Sequence, residues 1–415
     1  MIKAVVPASL ASTLFAAMVL AGATGASAQS AGITEHKLDP KAAQEAFGGG
    51  APVGPFQSRL PLADKSVFET PGSDAGISGN AGVSARSGAG ATPEAYGSSS
   101  EGAPYTTARV AVKKPGESRK KKQIPVTSQP YSATGKLYMK FGGTTYVCTA
   151  SLIRKGILIT AAHCVHEFGK GNSGFADSAI WYPSQFKSNK KGQPFGGFQA
   201  KNIFVPTPYI DGTDTCTEVG VVCNNDIATI ALKKQKIKYK NAKGKNKKKT
   251  GYPGEVVGMY EYGYNGYAYV TSPALGGELV VQITQLGYPV AFDKGDQMQR
   301  TDAVGWYYNF GVGLSDLENT RIGSAQTGGS SGGPWLANFG TRPSVSSGAS
   351  LGIASVSNVV VGVTSYGSST VGYNRQGSSF FGANYEFPLP NYGGWGAGNI
   401  GALMQATCAK EPKSC

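Results

Sequence analysis

Residues 148–164 read Cys148-Thr-Ala-Ser-Leu-Ile153-Arg-Lys-Gly156-Ile-Leu-Ile-Thr160-Ala-Ala-His163-Cys164. Two short apolar runs flank a polar turn with glycine, the pattern of two adjacent β-strands. The second run ends in small residues, so His163 is expected at the rim of a strand, beside a cysteine that can pair back to the first. From about residue 123 to the end the chain keeps this habit of short β-like runs and Gly-rich turns. With 59 glycines in 415 residues and only 15% charged side chains, composition excludes a coiled coil or a long-helix protein. The glycines have no period of three, which excludes collagen. An apolar content of 40% supplies a substantial core, and the prominence of Gly, Ser, Thr, Tyr and Val favours a β-rich domain.

Two further segments carry chemistry. Asn224-Asn225-Asp226-Ile-Ala-Thr-Ile-Ala-Leu232 opens an apolar run with an acid. Such a run carries its carboxylate into the interior, where an unpaired charge is costly, so Asp226 needs a donor. An imidazole N–H would serve. Histidines are scarce: His36, His163 and His166 are the three in the chain, and His36 lies in a low-complexity leader. In Thr327-Gly-Gly-Ser-Ser331-Gly-Gly-Pro334, glycines on both sides of a serine permit the tight backbone that exposes a hydroxyl. The same turn can aim N–H groups at one point, as an oxyanion hole requires.

Taken together, Thr160-Ala-Ala-His163-Cys164, Asn225-Asp226-Ile-Ala and Gly-Ser-Ser331-Gly-Gly-Pro334 resemble the His, Asp and Ser motifs of the chymotrypsin/trypsin-like serine peptidases, in that family's order. Val359-Val-Val-Gly-Val-Thr-Ser-Tyr-Gly367 is similar to the strand lining its substrate cleft. The resemblance covers about 123–370, and its serine motif is closest to the secreted bacterial branch of glutamyl endopeptidases. It implies an all-β fold of two packed six-stranded antiparallel β-barrels with a short C-terminal helix. It also implies Ser331 as nucleophile, His163 as base, and Asp226 as the group that orients His163. Gly329 and Ser331 would supply the oxyanion hole, Ser365, Tyr366 and Gly367 would pair with substrate backbone, and Ala325, Gln326 and Thr364 would face the substrate side chain. The glycine-flanked serine also fits the nucleophile elbow of α/β-hydrolases, but those need a histidine after the serine. None follows Ser331.

Departures from the family are informative. Ser330 stands where many members carry the Asp that receives a freed N-terminus, and Ala325 stands where trypsin-like members bind Arg or Lys. Thr364 stands where the glutamyl branch has a histidine. Cleavage after basic residues is therefore not expected, and a small or apolar side chain is favoured. No cofactor and no catalytic metal are implied.

The remaining expectations concern address and organisation. Lys3, an apolar stretch over 4–22 and Ala26-Ser27-Ala28 read as a signal peptide over 1–28, and so as secretion to the periplasm or beyond. No other run reaches the ~18 apolar residues of a membrane span. Six cysteines allow 15 connectivities. Neighbours in sequence suggest Cys148–Cys164, Cys216–Cys223 and Cys408–Cys415, in keeping with an oxidising compartment. Residues 29–122 read as a largely disordered leader or propeptide, with one short helix near Pro40–Phe47. Within 71–103, Gly, Ala and Ser make up 22 of 33 positions, too little apolar surface to offset ordering. The peptidase domain is 123–415, monomeric, with cleavage of the leader expected within 113–124.

Basic runs at 113–122 and 233–249 account for the whole net charge of +14. The second, Lys233–Lys249, holds ten lysines and no acid. It reads as a solvated insertion or an anion-binding surface; no aromatic platform marks it for specific nucleic-acid binding. Two rival functions follow: a catalytically silent relative that binds an anionic partner through that loop, and an esterase using the same triad.

Overall fold

The computed structural model describes residues 32–47, 51–52, 56–68, 95–98, 103–112, 125–240, 245–312, 315–340, 356–370 and 372–415. The expected signal peptide, most of the Gly/Ala/Ser-rich stretch and the 113–122 basic run lie outside them.

Six strands form the first barrel: β1 (Thr134–Phe141), β2 (Thr144–Arg154), β3 (Ile157–Thr160), β4 (Ser178–Pro183), β5 (Phe198–Pro206) and β6 (Ala228–Leu232). Their antiparallel pairing runs β5–β6–β3–β2–β1–β4 and closes where β4 meets β5, with Phe198 opposite Trp181. The second uses β7 (Glu278–Gly287), β8 (Gln299–Val312), β9 (Ser315–Gly323), β10 (Pro334–Ala337), β11 (Val359–Ser368) and β12 (Arg375–Phe380). It pairs β7–β10–β11–β12–β9–β8 and closes between β8 and β7. Closure leaves neither sheet an open edge along its ring.

The short apolar runs become strands buried on both faces, as Ile157–Thr160 is throughout. Leu152, Leu158, Trp181, Phe198 and Ile230 fill the first barrel, and Val281, Ile283, Ile322, Trp335 and Val361 the second. The C-terminal helix, Gly398–Lys410, lays Ile400, Leu403 and Met404 into the first core. Its Thr407 hydroxyl meets that of Thr229 on β6 at 2.6 Å. The three disulfides pair as the sequence suggests: Cys148–Cys164, Cys216–Cys223 and Cys408–Cys415.

Several segments of the expected leader region are among the described residues. Ile33–Lys37 adds an antiparallel strand to β5, and the helix forms at Pro40–Phe47. Phe47 of that helix packs with Tyr138, Val147 and Tyr182. Gln57–Ser58 and Leu62–Ala63 form short parallel pairs with β2 and β11. Tyr105–Arg109 joins β8 antiparallel. Main-chain pairing requires no long apolar run, and Phe47, Phe68 and Tyr105 are buried in or beside these segments. Lys233–Lys249 also acquires structure: Gln235–Lys240 pairs with Asn246–Gly251 in a separate hairpin whose lysines are largely exposed.

Candidate active site

His163 lies in a single 3-10 turn, Ala162–Cys164, directly after β3. The Cys148–Cys164 bond ties this turn to β2. Asp226 precedes β6, which pairs with β3, so strand pairing brings the two together. The Asp226 carboxylate is buried and accepts three hydrogen bonds. The His163 backbone N–H donates to Oδ1 at 2.8 Å, and His163 Nδ1 lies 2.8 Å from Oδ2. The Ser365 hydroxyl, on β11, donates to Oδ2 at 2.5 Å. The donor that the sequence demanded is therefore an imidazole, with two others.

Ser331 sits in the turn between β9 and β10. Gly329 and Gly332 adopt φ of +97° and +73°, backbone that other residues reach only with strain. Thr149 of β2 holds this turn from the opposite barrel: its N–H donates to Ser331 O at 2.8 Å, and its hydroxyl to Gly329 O at 2.8 Å. Sequence reading missed Thr149, since nothing local marks it. Among the described residues, no backbone carbonyl takes the N–H groups of Gly329 or Ser331.

A Cβ at Gly332 would lie 1.9 Å from Thr160 Oγ1 and 2.5 Å from Thr149 O. Gly332→Ala therefore forces the turn off β2 and β3, beyond the strain of positive φ. It is expected to lower stability by about 3 kcal/mol and to remove activity. Urea unfolding followed by circular dichroism checks the first, and peptide turnover the second.

The other expected substrate-side residues are held by protein partners. Tyr366 is fully buried, with Arg321 Nε 3.3 Å from its hydroxyl, and a Cβ on Gly367 would lie 3.1 Å from Leu60 Cδ2. The Thr364 hydroxyl is fully buried and engaged by Gln285 Nε2 at 2.8 Å and Trp335 Nε1 at 2.9 Å. Ala325 donates its N–H to Thr107 at 3.2 Å. Gln326 Nε2 reaches Thr301 Oγ1 at 3.1 Å, and its carbonyl receives Gln376 Nε2 at 2.8 Å. Gln376 also contacts Ser330 and Gln285. Gln285 and Gln376 come from distant strands and carry no local signal. The network behind Ser330 is polar and uncharged.

A buried carboxyl pair flanks the Asp226 segment. Asn225 N–H donates to Asp214 Oδ2 at 2.9 Å, and Asn225 Nδ2 donates to Glu386 Oε2 at 3.2 Å. Burial, with the Glu386 charge beside it, holds the Asp214 carboxyl well above its ordinary 3.8. The unfolded chain releases that proton above pH 3.8 while the fold retains it, so this group costs stability as pH rises through that value. Asp214→Asn is expected to raise stability at pH 7 by about 1 kcal/mol and to give no gain below pH 3.8. Thermal melts at both pH values check it.

The family model described as trypsin matches residues 119–378. The chain is 25% identical over 251 residues to a glutamyl endopeptidase of Bacillus licheniformis, covering 60% of this chain and 62% of that one. It is 28% identical over 138 residues to an extracellular metalloprotease of Bacillus subtilis, covering 33% and 34%. It thus spans less than two thirds of the length of these curated relatives. The protease Anisep of Arthrobacter nicotinovorans superposes with a TM-score of 0.41 at 22% identity, covering 62% of this chain and 93% of that one. A Glu endopeptidase structure superposes with a TM-score of 0.40 at 16% identity, covering 72% and 98%. With the family's pattern matched over more than half of its length, the chain belongs to the trypsin family of serine peptidases.

Proposed function

We propose that the chain is a secreted serine endopeptidase acting through Ser331, His163 and Asp226. The observation that carries this reading is the buried Asp226 carboxylate, which holds His163 by both its ring and its backbone N–H. The turn bearing Ser331 is held by Thr149, whose neighbour Cys148 is bonded to Cys164 beside His163. In this reading Ser331 Oγ attacks the scissile carbonyl while His163 Nε2 takes its proton. Asp226 fixes the tautomer that leaves Nε2 free and stabilises the imidazolium. The N–H groups of Gly329 and Ser331 stabilise the oxyanion. His163 then protonates the departing amine, and water hydrolyses the acyl-enzyme.

The Ala-x-Ala site at 26–28 and three disulfides support removal of 1–28 and secretion, with 29–122 as leader and 123–415 as the peptidase domain. Ala325 and the uncharged amides of Gln285, Gln326 and Gln376 favour a small or uncharged side chain before the scissile bond. Digestion of a denatured protein mixture, with new termini read by mass spectrometry, tests the reading. Cuts after small or uncharged residues, absent with Ser331→Ala, support it. No cuts from a chain whose leader has been removed refute it.

A further inference from the structure

The leader does more than decorate the barrels. Gln57 and Ser58 lie parallel to Tyr146 and Val147 of β2, and Leu62 and Ala63 lie parallel to Gly367 and Ser368 of β11. At the second site Gly367 N–H donates to Pro61 O at 2.9 Å, and Ser369 N–H to Ala63 O at 2.9 Å. Between the two ends the chain crosses the nucleophile turn. A Cβ placed on Gly328 would lie 2.1 Å from Ser58 Oγ and 3.8 Å from Leu60 Cβ. Arg59 is clamped at the rim, 3.0 Å from Glu167 Oε1 and over the ring of Phe141 at 4.0 Å. Phe68 is buried against Tyr366 and Tyr373, with ring centroids at 5.4 and 5.8 Å, in a pocket completed by Val222.

The reacting atoms are covered in this arrangement. Ser331 is 0% exposed and His163 5%. Ser331 Oγ and His163 Nε2 are sealed from solvent and make no hydrogen bond among the described residues.

The sense of the strand matters. A substrate must put its acyl half beside the Gly329–Ser331 amides and β11, and its leaving amine beside His163, which protonates it. Tyr146 and Val147 precede Cys148, which is bonded to the neighbour of His163, and so flank the amine side. A substrate therefore runs N- to C-terminal from Gly367 toward Val147. The leader runs from Val147 toward Gly367. In a reversed chain each carbonyl and N–H exchange places, so no peptide bond meets Ser331 with its nitrogen toward His163.

We propose that the cleft is a binding site for a peptide of the chain's own leader, residues 56–68, held backwards as an uncleaved occupant with Phe68 as its anchor. This rests on the peptidase reading for the sense of the cleft. The occupant uses strand addition at both ends, and attachment to the same chain keeps its effective concentration high. A cut within 113–124 ends that covalent attachment but breaks none of these contacts, and Ile33–Lys37 on β5 and Tyr105–Arg109 on β8 keep the severed leader docked, so processing there leaves the cleft filled. Activity then requires a second event that frees 56–68.

The test uses the full secreted chain, wild type and a Leu60→Asp/Phe68→Ala double variant, with two readouts. One is hydrogen exchange at the Gly367 and Ser369 amides; the other is the rate of Ser331 labelling by a fluorophosphonate. The wild type should protect both amides and label about 100-fold more slowly than the double variant. A synthetic peptide of residues 56–68 should restore protection and slow labelling when added to that variant. Arg59→Ala, which removes only the rim clamp, should shift both readouts less and in the same direction.

Rapid exchange of Gly367 in the wild type would overturn the proposal. So would measurable labelling of both chains at equal rates, or Ser331-dependent cuts within 57–63. Amide protection lost in the variant, with neither chain labelled, would uphold the occupied cleft and refute the peptidase reading instead.

Discussion

Ser331→Ala, measured in protein whose leader has been removed, is expected to lower kcat on peptides by about 10⁶-fold. The hydroxyl is the one group in the account that forms a covalent bond to substrate, so no neighbour substitutes for it. What survives should be the modest assistance of the Gly329 and Ser331 amides and of substrate binding, about 10³-fold over water. The substitution should leave the fold intact. Ser331 Oγ makes no hydrogen bond among the described residues, and the turn is held by backbone contacts to Thr149 and Thr364. Steady-state turnover and a thermal melt on one preparation check both halves: activity falls to the residual level while the melting temperature is unchanged.

Asp226→Asn is the second large effect, a loss of about 10⁴-fold in kcat. The carboxylate accepts from the His163 ring, the His163 backbone and Ser365. An amide brings two N–H groups of its own to a site already filled with donors, and offers a single acceptor oxygen. The imidazole must then surrender its Nδ1 proton or turn away, and Nε2 no longer accepts a proton from Ser331. KM should move little, since Asp226 touches the substrate strand only through the Ser365 hydroxyl, for which the Asn oxygen remains an acceptor. A fall in kcat with KM preserved, in a protein that still melts cooperatively, identifies a positioning role. A comparable rise in KM would mean that the cleft itself had collapsed.

Much of this was legible in the residues. Ile157–Thr160 and Val359–Val363 read as strands because unbroken apolar runs of that length must be buried on both faces. His163 and Asp226 stood out because histidine is scarce and an acid heading an apolar run needs a partner. Ser331 stood out because four glycines around one serine require an unusual backbone. The disulfides followed from spacing.

The parts that stayed hidden depend on encounters that no local pattern records. Leu60 and Phe68 lie in a proline-containing stretch of mixed polar and apolar residues with no regular period. Their anchoring is a property of the groove between the barrels, and their main-chain pairs with β2 and β11 need no particular side chain. The glutamine network behind Ser330 joins two strands and the loop after β9, and the Asp214–Glu386 pair joins two distant loops. Thr364 drew attention because it stands where the glutamyl branch has a histidine; its hydroxyl is taken by Gln285 and Trp335, partners from distant strands that no local pattern records. Ile33–Lys37 and Tyr105–Arg109 likewise add to β5 and β8 through main-chain pairing, which composition does not record.

The most direct test of the central claim is covalent. The leader-free protein, with Ser331→Ala alongside, would be treated with a fluorophosphonate and the adduct mapped by peptide mass spectrometry. The account predicts one adduct, on Ser331, absent from the variant and formed far more slowly after Asp226→Asn. An adduct on another serine, or none on a chain whose Gly367 amide exchanges freely, would contradict it.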